Sequence, residues 1–301
     1  MAERIQKVLA RAGYGSRRQI EAWIKEGRVS CNGETASLGD QISEGDRLRL
    51  DNKPLSPKRL WQQPQQVILY NKPIGEVCTR RDPEGRRTIF QSLPKPEQGR
   101  WVSVGRLDLN TSGLIILTTD GELANRLMHP ANEMDREYAV RVLGEVTPEM
   151  MQALRDGVEL DDGKAKFNDI QEAGGEGANK WFHVVIQEGR NREVRRLWES
   201  QGVQVSRLMR VRYGPIIMPN NLRIGNWKKL DDSDLEYLYE QAGMRPATAK
   251  KGKAVSSRKP QKAARPAKND KPAASPYKGR KQPDESTNAK PGKRGPRIRG
   301  R

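Results

Sequence analysis

The sequence predicts an α+β protein in three parts: a small module over residues 1–62, a larger domain over 63–244 built on a large, mostly antiparallel sheet, and a disordered basic tail over 245–301. Three observations lead there. Near the N-terminus, helical apolar spacing gives way to an Asn-Gly hairpin signal. In the middle, alternating strands follow one another through hairpin-length connections with few helices between them. Beyond Met244 apolar residues almost vanish, so burial cannot offset chain entropy.

In the first module Ile5, Val8, Leu9 and Ala12 recur at helical spacing, and Gly13 stops the helix. Ser16 caps a second helix with Ile20, Trp23 and Ile24 as its apolar stripe and Gly27 as its end. "RVSCNGETA" folds back at Asn32-Gly33, and "GDQISEGDRLRL" adds one more strand. Lys7, Arg11, Arg17, Arg18, Lys25 and Arg28 fall mostly off the apolar stripes. A solvated helix face explains any one such run. Two basic faces ahead of a turn-rich β unit point instead to RNA phosphates.

A Gln/Pro-rich joint, "WQQPQQ", leads into the larger domain. "VILYNKP" reads as a buried strand meeting a proline, and "RRDPEGRRTIF" as a charged turn. "SGLIILTTDGELANRLMHP" reads as strand, turn and a helix ended by Pro130. In "REYAVRVLGEV" Tyr138, Val140 and Val142 alternate with Ala139, Arg141 and Leu143. "TPEMMQALRDGV" is a capped helix; "KWFHVVIQEG" and "VQVSRLMRVRYG" are strands flanking the helical "NREVRRLWESQG".

The net charge of +18 and pI near 10.0 call for a polyanionic partner. Of 56 Lys and Arg, 19 lie in residues 245–301, against 3 of 38 Asp and Glu, so nearly all the excess sits in the tail. That tail suits either plain solvation or a non-specific tether to RNA. The middle domain must hold RNA through local patches. Hydrophobic residues make up 34% and the mean hydropathy is −0.89. No run approaches the roughly 20 apolar residues of a membrane span, and the N-terminus does not read as a signal peptide. Cys31 and Cys78 match no zinc spacing and suit a reducing cytosol; with His129 and His183 as the only histidines, no metal site is expected. No phosphate loop or Gly-rich βαβ unit supports ATP, NAD or a Rossmann-type methyl donor.

The segment "GRLDLNTSGLIILTTDG" (Gly105–Gly121) carries the candidate chemistry. By spacing alone Asp108 fits a turn residue bonding its own loop, and Thr111 and Ser112 read the same way. Gly105, Gly113 and Gly121 read as turn glycines.

Two resemblances extend this reading. "RIQKVLARAGYGSRRQIEAWIKEGRVSCNGE" resembles an S4-type RNA-binding domain, which implies docking on folded RNA through Lys7, Arg11, Arg17, Arg18 and Arg28. "YNKPIGEVCT", "GRLDLNTSGLIILTTDGELANRLMHP", "REYAVRV" and "EGRNREVRRLWESQGVQVSRLMRVRYG" together resemble the S4-bearing rRNA pseudouridine synthase family. Within it they look most like the large-subunit (23S) enzymes of type B. The small-subunit enzymes carry "YHQV" where this chain has Asn191, Arg192, Glu193 and Val194. The resemblance implies that Asp108 is the nucleophile or proton-abstracting carboxylate when the uridine N1–C1′ bond breaks and the base rejoins through C5. It implies that Tyr138 packs on the flipped base, that Arg195 pairs with the carboxylate, and that Arg106 fills the space the base leaves. Helical spacing leaves open whether Arg195 or Arg196 faces inward. Lys72 and Pro73 read as structural support. No cofactor is implied. The expected partner is 23S rRNA or the assembling large subunit, met by a cytoplasmic monomer. The competing readings are a non-catalytic S4 RNA-binding or assembly factor, and a synthase acting on small-subunit rRNA.

Overall fold

In the computed structural model, which describes residues 2–245 apart from Gln63 and Ala178, the chain opens with β1 (Glu3–Arg4), α1 (Ile5–Arg11) and α2 (Arg17–Lys25). Ile5, Val8 and Leu9 are fully buried. At roughly 1.5–3 kcal/mol each, they anchor a seven-residue helix too short to stand alone. The Ser16 side chain accepts from the Gln19 amide at 3.1 Å and opens α2 as expected. Next come β2 (Val29–Cys31) and β3 (Glu34–Thr35). Asn32 and Gly33 between them have φ of 52° and 97°, the left-handed pair that a two-residue hairpin needs. β4 (Gln41–Ile42) returns to β1, β5 (Leu48–Leu50) pairs with β2, and β6 (Lys53–Pro54) completes the small sheet. α3 (Pro57–Trp61) closes the module by placing Leu60 in its core.

The larger domain begins with β7 (Val67–Lys72), all six residues buried, then α4 (Ile89–Ser92), β8 (Val102–Val104), β9 (Ser112–Thr118), α5 (Gly121–Met128) and β10 (Arg136–Leu143). α6 (Pro148–Asp156) precedes the hairpin β11 (Val158–Leu160) and β12 (Gly163–Ala165). β13 (Asp169–Glu176), β14 (Asn179–Ile186), α7 (Glu193–Glu199) and β15 (Gln204–Tyr213) follow. β16 (Ile216–Ile217), β17 (Trp227–Lys229) and α8 (Asp232–Gln241) finish the described chain. The expected tail lies outside the described residues.

Nine strands form one sheet, in the order β13-β14-β10-β15-β9-β7-β17, with β16 added to β15 and β8 to β9. Its pairings are antiparallel except β15 with β9. The two-residue period sorts the core onto two faces. Ile68, Tyr70, Ile115 and Leu117 pack with Tyr138, Val140, Phe182 and Trp198. Val67, Leu69, Leu114 and Ile116 pack with α5 and α8 through Leu123, Leu127, Leu238 and Tyr239.

The parallel seam brings a correction. Gly113 lies inside β9 rather than in a turn, with φ +104°, and a β-carbon there would sit 2.3 Å from the Arg210 carbonyl oxygen. Glycine is required because β15 passes directly over it. Gly121 opens α5, one residue after its cap Asp120, so it too is helical rather than a turn residue. Gly105, at φ +76°, is a turn glycine as expected.

Candidate active site

The loop between β8 and β9 is fastened through its main chain. The Cys78 thiol sits against Leu107, donating to its carbonyl and accepting from its amide, each at 3.3 Å. Lys72 Nζ donates to the Asp108 carbonyl at 3.1 Å and to that of Thr111 at 2.8 Å. Its third bond goes to Pro73 at 2.9 Å, so every ammonium donor is used. The Gly75 amide donates to the Leu109 carbonyl at 2.8 Å, and Arg195 Nη2 to that of Asn110 at 2.9 Å. Five consecutive carbonyls, from Leu107 to Thr111, are therefore held. The Asp108 carboxylate is left without a hydrogen bond or ion pair among the described residues.

Two buried cations stand behind that loop. Lys72 is fully buried; desolvation lowers its pKa, opposed by Cys78, Glu76 and Asp108. Arg195 is 5% exposed and gives its other Nη to the Val205 carbonyl at 2.8 Å, while its Nε has no partner. Desolvation and then Arg192 lower its pKa, opposed by Asp108 and Glu199. Arg196 turns the other way and grips Asp162 with both Nη atoms at 2.8 Å. The inward residue on α7 is therefore Arg195. It reaches the backbone two residues beyond Asp108, not the carboxylate itself.

In front of the loop lies a cleft of about 940 Å³, lined by Arg106, Asp108, Arg136, Tyr138, Arg210 and Tyr213 among others. Tyr138 follows a bulge in β10 and packs with Val140 and Val142 while still lining the cleft. A bulge commonly re-aims a side chain in this way. Arg106 is exposed at the mouth.

Arg210 was missed by sequence reasoning. It is 2% exposed, donates from Nε to the Leu114 carbonyl at 2.8 Å, lies 5.0 Å over the Tyr213 ring, and keeps a buried Nη2 without a partner. The available signal was a cation two residues from Leu208, on the apolar parity of its strand.

The expected RNA-binding residues separate into groups. Lys7 is tied to Glu3 and Glu122, and Arg11 to Glu3. Arg28 holds Asp51 and Glu26 over the Trp23 ring. Arg17 and Arg18 are exposed and meet no carboxylate. Lys7, Arg11, Arg17 and Arg18 line a second cleft of about 740 Å³. Arg28 does not, and Arg106 belongs to the first. Among the described residues no helix is long and apolar enough to cross a membrane.

Comparison with known proteins bears directly on this arrangement. Residues 3–48 match the S4 domain, and residues 66–200 match the RNA pseudouridylate synthase family. The ribosomal large subunit pseudouridine synthase B of Pseudomonas aeruginosa is 54% identical over 280 residues, covering 91% of this chain and 72% of that protein. The protein of the same name from Escherichia coli strain K12 is 53% identical over 265 residues, covering 87% and 91%. A crystal structure of a pseudouridylate synthase superposes with a TM-score of 0.55 at 29% identity, over 78% of this chain and 99% of its own. An S4 module, a nine-stranded mixed sheet with a carboxylate at its central cleft, and relatives more than half identical over most of their length make this chain an isomerase of the S4-bearing RNA pseudouridylate synthase family.

Proposed function

We propose that this enzyme converts a uridine of large-subunit (23S) rRNA to pseudouridine with Asp108 as the reacting carboxylate. One observation carries the reading. Five consecutive loop carbonyls are fastened while the Asp108 carboxylate stays unengaged in the cleft, backed by two buried cations. A fixed, charged, unpaired oxygen is what attack at C1′, or proton removal from C2′, requires. Lys72 and Arg195 spend their hydrogen bonds on neutral carbonyls, so their positive charge stays uncancelled beside the loop that carries the carboxylate. The target uridine must leave its stack, at a cost of a few kcal/mol. Tyr138 offers the swung-out base a ring, and Arg106 at the mouth can occupy the vacated place. Arg195, rather than Arg196, is the residue that supports the carboxylate, acting through the loop as a positioning group.

The large-subunit preference rests on the relatives named above, which are large-subunit synthases. Either 23S rRNA or the assembling subunit is the partner. Action as a monomer belongs to the same reading, and free Cys31 and Cys78 suit the cytoplasm. We place the module boundary at 62/63, after the last core residues of the first module, and the end of the catalytic domain at 244. RNA contact in the first module falls mainly to Arg17 and Arg18, with Lys7, Arg11 and Arg28 contributing less because acids already hold them.

The test is Asp108→Asn, which keeps size and turn propensity while removing the charge. Pseudouridine mapping by reverse transcription of treated rRNA should show a single-turnover loss of at least about 10³-fold, with the thermal melt and RNA binding retained. Asp120→Asn and Asp135→Asn serve as controls and stay active. A folded Asp108→Asn enzyme with a near-normal rate would end the proposal, and mapping both rRNAs decides the subunit.

A further inference from the structure

The second cleft is a seam between the two modules. Gly13, just after α1, approaches the backbone of Gly99 so closely that a β-carbon on it would meet the Gly99 carbonyl at 2.8 Å. Beside that contact the cleft is lined by Arg17 and Arg18 from α2 and by Arg100 from the larger domain. Its acids are already occupied. Glu3 is held by Lys7 and Arg11, and Glu122 by Lys7 and Arg126. Asp120 caps α5 and accepts from Tyr239 and Gln65. Glu97, on the Arg100 loop, accepts from Gln66 at 2.7 Å and faces Lys229. None is left for Arg17, Arg18 or Arg100, whose side chains have no ion pair or hydrogen bond among the described residues.

The cations also crowd one another. Desolvation and then Arg17 lower the Arg100 pKa; desolvation and then Arg100 lower that of Arg80. Arg80 donates to the Trp101 carbonyl and stacks 4.3 Å over the Phe90 ring. It stands two residues after Cys78, the residue that holds Leu107 beside Asp108. Arg17 and Arg100 thus line one cleft, and Arg80, bonded to the carbonyl of the residue after Arg100, extends the positive charge within the larger domain. Like charges gathered in this way repel one another, and an anion between them would relieve the repulsion.

We infer that Arg17, Arg100 and Arg80 form a phosphate track, on which the backbone of a single RNA strand bridges the module seam and is led to the Asp108 cleft. The strand is the same RNA named under the proposed function, and the inference rests on that reading for its partner. The occupant is argued from charge: alternating phosphates suit a row of guanidinium groups, which grip phosphate bidentately. An acidic peptide or a protein partner would be a different result. Such a track reads backbone and not sequence.

The experiment uses the full chain with fluorescein-labelled RNA, one fragment from 23S rRNA and one unrelated RNA of equal length, titrated by anisotropy at several salt concentrations. Arg100→Gln and Arg17→Gln should each make the log–log salt slope shallower by about 0.7, equally on both RNAs. The double variant should lose less than the sum, because the two groups grip one stretch of backbone. Lys228→Gln, an exposed lysine on β17, is the control for general charge loss. The free protein carrying Arg100→Gln should melt no lower than wild type, since a repulsion is relieved. An unchanged slope, an effect confined to the 23S fragment, a loss no larger than that of Lys228→Gln, or a lowered melt for Arg100→Gln would overturn the track. Because the readouts are binding and melting, failure of the proposed reaction shows separately, as wild-type protein that holds RNA and forms no pseudouridine.

Discussion

The cations behind Asp108 and those on the first module are used in opposite ways. Lys72 and Arg195 direct their bonded donors to main-chain carbonyls, whereas Lys7, Arg11 and Arg28 give theirs to carboxylates. A carboxylate partner cancels charge. A carbonyl partner satisfies the hydrogen bond and leaves the charge in place, where low polarity strengthens it. The inner pair is both fastener and field, while the outer set largely neutralises itself. Adjacent residues show the same division: Arg195 holds the Leu107–Thr111 loop and Arg196 a surface aspartate.

Substitutions can break this contrast in graded steps. Lys72→Met removes the inner cation that bonds three carbonyls and should do the most harm. A loss of about 3 kcal/mol, or roughly 6–12 °C in Tm, should accompany loss of turnover, as read by calorimetry and pseudouridine mapping. Arg195→Met should lower kcat by about 10²-fold through misplacement of the Asp108 loop, with KM for RNA little changed. Arg196→Met should leave the rate unchanged, because a surface ion pair contributes little. If the two α7 variants behaved alike, the division between them would be wrong.

A smaller effect tests a half-buried acid on the outer side of β10. Desolvation would raise the Glu137 pKa, but hydrogen bonds from Arg212 and His183, each at 2.8 Å, hold it below the usual range. A lowered carboxylate contributes stability that is complete above its unfolded pKa of about 4.3 and is lost as pH falls through the folded value. Melts of Glu137→Gln and wild type should therefore differ at neutral pH and converge as pH falls below the usual carboxylate range. The smallest change concerns the tail. Truncation after Met244, which removes residues 245–301, should flatten the salt dependence of RNA binding and leave single-turnover chemistry at saturating enzyme intact.

Legibility in the sequence followed the range of the interactions. The stops at Gly13 and Gly27, the cap at Ser16 and the hairpin at Asn32-Gly33 are local, and each stands where its residues put it. The alternation of Tyr138, Val140 and Val142 fixed a face because strand period is local too. Gly113 and Arg210 were misread or missed for one reason. Their roles arise where β15 crosses β9, a pairing between residues nearly a hundred positions apart. Arg195 and Arg196 were inseparable because helical spacing gives relative angles and not the docking of α7. Arg100, in a Pro- and Gly-containing stretch, gained meaning only beside Arg17.

The fastening of the Leu107–Thr111 loop has a consequence for how such an enzyme diversifies. Four of its five holds come from Lys72, Gly75 and Arg195 to backbone oxygens, and the fifth from a thiol to a backbone pair, so none depends on the side chains of Leu109 or Asn110. Both of those side chains are exposed. Positions 109 and 110 can therefore vary without loosening the carbonyl holds around Asp108, and a library randomised there alone should change RNA contacts at this loop while the proposed chemistry is retained.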